Sequence, residues 1–232
     1  MAIFGCSKHD PILPGVRHEI FDSGDVVVSN KNIPELSADE KDIYGDTNCN
    51  YRQDATNSIW HGDKKIYTGF AGNTIVKTNQ TPICVDNFVY TGLSNGSVIK
   101  LNKNNKRVVW QSDVYKDNVF TGGSAIVDII ARVGYDNGYV YAGGLGDAFC
   151  KLNANTGNKV WCVGISVPVD FIIVDNFAFV VGGDNNLYSI NTKDGSVYWK
   201  SEIKKQIKPK YDGKKITVGK QRINYTDGSV AK

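Results

Sequence analysis

VDNFVYTGLSNGSVIKLNKNNKRVVW, the sequence of residues 85–110, recurs twice later in the chain with its main features in place. The second copy is DNGYVYAGGLGDAFCKLNANTGNKVW at residues 136–161, and the third is VDNFAFVVGGDNNLYSINTKDGSVYW at residues 174–199. The three segments align without a gap. Because three such matches rarely arise by chance, the sequence predicts a structure built from repeated units.

The three units share an aromatic residue, an aliphatic residue followed by Asn, and a terminal Trp nine positions after that aliphatic residue. These landmarks are Tyr90, Leu101 and Trp110 in the first unit, Tyr141, Leu152 and Trp161 in the second, and Phe179, Ile190 and Trp199 in the third. A large ring at a fixed place on the last strand suits the wedge between two stacked sheets. We therefore predict that all nine landmarks are structural residues.

Each unit has the pattern of short strands separated by Asn, Asp and Gly turns, and no segment shows a sustained helical period. An apolar run precedes each unit, at Pro82–Val85, Ala125–Ile130 and Pro168–Ile173, and supplies a further strand. The sequence therefore predicts an all-β fold of antiparallel four-stranded blades, as in a β-propeller.

Two weaker copies flank the three clear ones. Residues 223–230 repeat the spacing of residues 190–197, and Trp60 lies 50 residues before Trp110, where it is expected to finish a degenerate first unit. The chain thus carries about four blades within residues 57–232. Residues 1–56 are rich in Pro and polar side chains, and this composition predicts a mostly extended or disordered leader that buries little apolar surface.

The beginning of the leader, Met1-Ala2-Ile3-Phe4-Gly5-Cys6, is similar to the end of a bacterial lipoprotein signal, in which the Cys receives lipid after cleavage. The basic and apolar segments that complete such a signal are missing upstream. Two interpretations stay open: Cys6 is a lipidated residue, with the true start further upstream, or an ordinary cysteine.

The repeat pattern D-x-x-V-Y-x-G, followed by L-N, then T-G or D-G, then W, resembles the quinoprotein-type, or PQQ-like, repeat over about residues 80–232. Asp86, Tyr90, Gly92 and Asn102 carry it in the first unit. Within that family the order of parts, with a candidate lipidated Cys, a polar leader and then blades, is most similar to the outer-membrane assembly lipoproteins of the BamB type.

This resemblance implies a periplasmic, non-catalytic scaffold that binds no cofactor and is tethered at the outer membrane if Cys6 is lipidated. It also implies that the chain binds the central barrel-assembly protein of the outer membrane. Two alternatives remain: a fragment of a PQQ-dependent dehydrogenase, and a generic extracytoplasmic protein-interaction propeller.

The number of repeats departs from the resemblance, because eight-bladed propellers need about eight repeats of about 40 residues. A truncated or split product, a subunit completed by association, and a small closed ring all remain open, with truncation favoured by the end of the chain within a repeat. An open set of blades exposes strand edges that pair readily with other chains.

Residues that would indicate catalysis or nucleic-acid binding are not arranged in any recognisable motif. The three His residues show no metal-ligand spacing, and Gly143-Gly144-Leu145-Gly146 aligns with a blade turn rather than a phosphate loop. Asp128 and Asp170 interrupt apolar runs, and we expect structural pairing for both. Residues 200–232 carry ten Lys and Arg against three acids, but without interleaved aromatics they favour a solvated edge over a nucleic-acid site.

The cysteines other than Cys6 are Cys49, Cys84, Cys150 and Cys162. Only Cys150 and Cys162 fall in one predicted hairpin. If its turn centres on Thr156-Gly157, the two cysteines point to opposite faces of the sheet, so a disulfide between them is not expected unless a bulge intervenes.

Overall fold

The computed structural model describes residues 26–37, 39–69, 80–115 and 126–231, and within these ranges the regular structure consists of strands. Five consecutive groups of strands form five sheets, which we call blades 1 to 5. The strands of blades 1 and 2 are β1 (Tyr51–Gln53), β2 (Ser58–His61), β3 (Lys64–Thr68), β4 (Ile83–Val85), β5 (Phe88–Gly92), β6 (Ser97–Asn102) and β7 (Val108–Asp113). Those of blades 3 to 5 are β8 (Gly134–Asp136), β9 (Tyr139–Gly143), β10 (Phe149–Asn153), β11 (Lys159–Val163), β12 (Ile172–Val174), β13 (Phe177–Val181), β14 (Asn186–Asn191), β15 (Val197–Glu202), β16 (Lys210–Tyr211), β17 (Ile216–Val218) and β18 (Gln221–Ile223).

Within every blade, strands that follow one another in sequence are hydrogen-bonded antiparallel neighbours. Blades 2, 3 and 4 each have four such strands, and the described parts of blades 1 and 5 each have three. Short tight turns make this order the simplest for alternating strand and turn residues. The prediction of an all-β fold with antiparallel four-stranded blades is confirmed.

The apolar core lies between the blades. One cluster joins Tyr51 and Ile59 of blade 1 to Val89 and Leu101 of blade 2. Three further clusters join blade 2 to blade 3, blade 3 to blade 4, and blade 4 to blade 5. Side chains alternate across a strand, so each central blade buries both faces against its two neighbours.

The last two strands of blades 2, 3 and 4 share a β-bulge one residue before the landmark Trp. In blade 2 the register changes from Lys100 opposite Trp110 to Leu101 opposite Val108, and blades 3 and 4 do the same. A bulge adds one residue to one strand and thereby changes which side chains share a face.

The prediction that Trp60 finishes the first unit is wrong. Trp60 lies on β2, in the middle of blade 1, and β3 follows it. The bulge of this blade places Ile59 opposite Tyr67 and Trp60 opposite Lys65, so Tyr67 occupies the position of the landmark Trp. The spacing of 50 residues misled because the repeats differ in length: Tyr67 lies 43 residues before Trp110, whereas Trp110 lies 51 residues before Trp161.

The first strand of blade 3 is also displaced from its predicted place. It comprises Gly134–Asp136 rather than Ala125–Ile130. Ala125 lies outside the described residues, while Val127 and Ile129 are buried without forming a strand. The apolar composition of this run therefore predicted a buried segment correctly, but it did not predict which residues hydrogen-bond into the sheet.

The leader is the largest departure from the sequence-based expectation. Residues 26–37 and 39–50 are here called the N-terminal strap. The strap is extended but packs against the blades, and Ile33, Leu36 and Ile43 are buried. The strap joins existing blades and so needs no core of its own. Moreover β1, at Tyr51–Gln53, belongs to the same sheet as β2 and β3.

The strap crosses the blades in the reverse of their sequence order. Lys41 N donates to Ile173 O in blade 4, Tyr135 N in blade 3 donates to Ile43 O, and Asp46 pairs with Cys84 in blade 2. These three contacts all fall on or beside the first strands of their blades. Earlier in the strap, Ile33 N donates to Thr226 O in blade 5 at 2.8 Å, so the strap ties blades 2 to 5 together.

Candidate interaction site

The nine landmark residues lie at equivalent places in blades 2, 3 and 4. Each aromatic landmark packs against the Trp of its own blade, with ring centroids 6.0 Å apart for Tyr90 and Trp110, 6.2 Å for Tyr141 and Trp161, and 5.9 Å for Phe179 and Trp199. All of these aromatic residues belong to the cluster shared with the next blade. The aliphatic landmarks Leu101, Leu152 and Ile190 belong to the cluster shared with the preceding blade.

Each landmark Trp is hydrogen-bonded to the following blade. Trp110 Nε1 donates to Ala154 O at 3.0 Å, Trp161 Nε1 to Thr192 O at 3.2 Å, and Trp199 Nε1 to Tyr225 O at 2.8 Å. The three acceptors follow the same Asn in their repeats. A buried indole N–H needs a partner, and this carbonyl supplies it three times.

Under each indole lies a glycine of the next blade's turn. A Cβ at Gly157 would be 2.8 Å from Trp110 Cδ2, and one at Gly195 would be 2.9 Å from Trp161 Cδ2. Gly228 has the same relation to Trp199, and all three glycines have positive φ. The turn thus requires Gly both for its left-handed backbone and for the ring above it.

Two buried lysines complete this contact and were missed by the sequence analysis. Lys100 Nζ donates to Ala154 O at 2.7 Å, and Lys151 Nζ donates to Thr192 O at 2.8 Å, the carbonyls that also accept from the indoles. The ammonium groups lie 3.8 Å from the ring centroids of Phe88 and Tyr139 respectively. The signal was a Lys at the same position of two aligned apolar strands.

Burial lowers the pKa of both lysines, because the charged form loses hydration. In blade 4 the same position holds Ser189, whose buried hydroxyl has no hydrogen-bond partner in the part of the chain that the structure describes. The junction between blades 4 and 5 therefore has the indole hydrogen bond without the ammonium.

The expected structural pairing is found for Asp170. Arg132 Nε lies 2.9 Å from Asp170 Oδ2, and the backbone N of Arg132 donates to the other carboxylate oxygen at 2.8 Å. The guanidinium also lies 4.1 Å from the ring centroid of Tyr44 in the strap. Asp128 is buried, with only 1% of its surface exposed.

Two disulfides are present in the described residues. Cys150 is bonded to Cys162, which corrects the prediction against this pair: the bulge after Lys151 places the two cysteines directly opposite each other. Cys49 is bonded to Cys84 and links the strap to blade 2. Nothing in the sequence marked this second pair, because its partners come from different units. Cys6 lies outside the described residues.

Within the described ranges, no set of three or more His, Cys, Asp or Glu residues is placed to hold a metal ion. The carboxylate of Asp54 has a pKa of about 2 because, although burial acts in the opposite direction, hydrogen bonds from Thr56, Trp60 and Ser58 outweigh it. It acts as the acceptor of a turn. The described residues also include no helix with the length and apolarity needed to cross a membrane.

A family model described as outer membrane protein assembly factor BamB matches residues 45–201 and, in an overlapping match, residues 94–230. The chain belongs to this BamB family. The match begins in the strap and runs through the repeats.

Individual relatives agree with the BamB assignment. BamB of Legionella pneumophila (strain Paris) is 25% identical over 130 residues, which is 56% of this chain and 34% of that protein. The crystal structure of BamB from Moraxella catarrhalis superposes with a TM-score of 0.52 at 16% identity, covering 67% of this chain and 52% of that one. This chain therefore spans between a third and about half of the BamB proteins that it matches.

A quinohemoprotein alcohol dehydrogenase from Pseudomonas putida is a more distant structural neighbour. Its TM-score is 0.44 at 21% identity, over 54% of this chain and 21% of the enzyme. A likeness at this level carries no argument about activity.

Proposed function

We propose that this chain is a non-catalytic scaffold that binds partner proteins during the assembly of outer-membrane β-barrels. The observation that carries the proposal is the BamB family match over residues 45–230, which comprises the end of the strap and the blades. The residues that define the repeat are engaged in joining one blade to the next, as the indole, carbonyl and glycine contacts illustrate. This leaves the loop tips and the outer strand edges for binding.

The two disulfides support a periplasmic location for this role. Disulfides persist in oxidising compartments such as the periplasm and are rare in the reducing cytosol. Cys49 and Cys84 are bonded, and so are Cys150 and Cys162. We infer that the chain works in the periplasm, the side from which outer-membrane barrels are assembled.

The test is direct binding to the central barrel-assembly protein. The purified full chain, with its disulfides intact, is passed over the immobilised periplasmic part of that protein. Saturable binding is the expected result. An absence of binding, with the chain folded by circular dichroism, contradicts the assembly role. Capture of other periplasmic proteins in its place favours a generic interaction propeller.

The non-catalytic part of the proposal has its own measurement. A ligand that binds the folded state raises the thermal midpoint. Addition of pyrroloquinoline quinone with calcium is therefore expected to leave the midpoint of the full chain unchanged. A saturable rise would instead support the dehydrogenase-fragment alternative.

We also propose that Cys6 is the lipid attachment site of the mature protein. The support is the Ile3-Phe4-Gly5-Cys6 sequence, in which small and apolar residues precede the Cys. In bacteria expressing the gene with its upstream sequence, labelled fatty acid is expected in the wild type and not in Cys6→Ser. Equal labelling of both proteins would exclude this site.

A further inference from the structure

The strap runs along the outer edge of blade 4 and joins it through an isolated parallel β-bridge and two backbone hydrogen bonds. Val28 pairs with Val197 in the parallel direction, Ser29 N donates to Val197 O at 2.9 Å, and Lys31 N donates to Tyr198 O at 3.1 Å. Val26 and Val28 pack on the core, whereas Val27 between them is 78% exposed. The chain thus shows how an extended valine-rich segment binds the fourth strand of a blade.

The bulge in β15 helps to create this binding edge. Ile190 faces Val197 and Ser189 faces Trp199, so Tyr198 is the extra residue. Two successive carbonyls, those of Val197 and Tyr198, accept hydrogen bonds from the strap. A bulge of this type therefore presents two acceptors to an incoming strand.

Blade 2 has the same bulge at its outer strand, β7. Leu101 faces Val108 and Lys100 faces Trp110, which makes Val109 the extra residue. Val108 is 41% and Val109 is 46% exposed, whereas Val197, which the strap covers, is only 3% exposed. Exposed apolar edge strands favour pairing with another chain.

The charges around the two edges differ in a way that indicates the occupant. In blade 4, the adjacent turn carries Asp194, and the positive charge of Lys31 on the strap contributes, after the hydrogen bonds from Ser196, to the lowered pKa of that carboxyl. The corresponding turn of blade 2, residues 103–107, carries no acid. Lys106 of this turn donates to Tyr51 Oη in blade 1 at 2.7 Å, so Lys103 and Arg107 are the charges that a segment on β7 would meet. A segment on β7 would therefore bind more tightly if it carried an acidic residue at the position where the strap has Lys31.

We propose that the outer edge of β7 is a docking site for an extended segment of a partner protein. The segment adds in parallel, places β-branched residues against Val108 and Val109, and carries an acidic residue next to the turn at residues 103–107. The inference rests on the proposed protein-binding role and identifies one surface for it.

The test uses a peptide derived from the strap. The probe is a fluorescent peptide with the sequence of residues 26–33, VVVSNKNI, in which Lys31→Glu supplies the acid. Titrated with the full chain, it is expected to bind saturably and at least about 10-fold more tightly than the unchanged Lys31 peptide. A Ser29→Pro form, which lacks the N–H that donates at blade 4, is expected not to bind.

Variants of the chain locate the site. Val109→Lys is expected to weaken binding of the Glu peptide at least about 10-fold, and Arg107→Glu should reverse the preference so that the Lys peptide binds better. Ile207→Lys, at a residue 40% exposed outside β7, is the matched control and should leave binding unchanged.

Three results would overturn the inference: no saturable binding by the wild type at about 1 mM, equal affinity of Val109→Lys and wild type, or a preference unaffected by Arg107→Glu. Sedimentation decides whether a second copy is the occupant, because a dimer dissociated by Val109→Lys would assign the edge to self-association. The titration contains no barrel-assembly component, so its failure is distinct from failure of the capture experiment.

Discussion

Two junctions of this molecule hold neighbouring blades together by different means. Between blades 4 and 5, Trp199 lies over Gly228 and donates to Tyr225 O. Between blades 1 and 2, Tyr67 takes the place of the Trp, and the turn position that matches the glycine is Lys106, with φ of 60°.

In place of the indole contact, the first junction has a covalent and a polar link. The Cys49–Cys84 disulfide joins the strap, just before β1, to blade 2. Gln53 Nε2 donates to Gly92 O at 2.9 Å, and Asn57 Nδ2 donates to Ser94 Oγ at 2.6 Å. Both junctions have an apolar cluster, but one is reinforced by a Trp wedge and the other by a disulfide and polar contacts.

The largest effect expected from this difference is on the Trp. Trp199→Ala should lower the free energy of unfolding by about 3–5 kcal/mol, since a ring only 3% exposed is removed and a cavity remains. Tyr67→Ala, at the equivalent but half-buried position, should cost about 1–2 kcal/mol. Chemical denaturation of the two variants tests the contrast, and equal costs would mean that the junctions do not differ.

Trp161 is only partly buried, so its alanine variant should fall at the lower end of the larger range.

Removing the disulfides tests the other side of the comparison. Loss of the 35-residue Cys49–Cys84 crosslink, as the double alanine variant, should cost about 4 kcal/mol, against about 3 kcal/mol for the 12-residue Cys150–Cys162 crosslink. The longer loop frees more conformational entropy in the unfolded chain. Thermal unfolding of both variants shows which disulfide contributes more to stability. A greater loss of stability without Cys150–Cys162 would contradict the role assigned to Cys49–Cys84 at the junction of blades 1 and 2.

These two junctions also show which features the sequence could predict. The Trp repeat predicted the blades because an aromatic residue, an aliphatic residue followed by Asn, and a Trp recur at fixed spacing, and all three lie within one unit. The Cys49–Cys84 pair and the strap contacts join residues from different units, so the repeat spacing in the sequence could not indicate them. The Cys150–Cys162 pair was missed for another reason: a one-residue bulge reverses the face of every side chain beyond it.

A smaller effect is expected at the glycine under the indole. Gly157→Ala should cost about 2–4 kcal/mol, because a left-handed backbone and contact with Trp110 both oppose the added methyl. Gly138 has a similar φ of 82° but no atom within 4 Å of the added Cβ, so Gly138→Ala should cost only about 1–2 kcal/mol. If combining Gly157→Ala with Trp110→Ala gave strictly additive costs, the ring would not be the second cause.

The smallest effect concerns the buried ammonium groups that distinguish the junctions after blades 2 and 3 from the one after blade 4. Lys151→Ser, which copies Ser189, should change the free energy of unfolding at pH 7 by only about 1 kcal/mol, since the lost hydrogen bond to Thr192 O is offset by the removal of a desolvated charge.

Its signature is instead a dependence on pH. Burial lowers the pKa of Lys151, while the nearby Asp136 opposes this shift. The folded state therefore releases this proton at a lower pH than the unfolded chain, whose Lys has a pKa near 10.5. The charge destabilises the fold below the folded pKa, and that cost is relieved as the pH rises from the folded pKa to the unfolded one.

Chemical denaturation of the wild type and of Lys151→Ser, at pH 7 and at pH 9.5, measures how much the buried Lys151 charge destabilises the fold at each pH. The wild type should gain stability relative to the variant at the higher pH. Burial also raises the pKa of Tyr90, Tyr141 and Tyr188, but these groups are present in both proteins and largely cancel in the difference. A stability difference that is constant with pH would show that the Lys151 ammonium is as well solvated in the fold as in the unfolded chain.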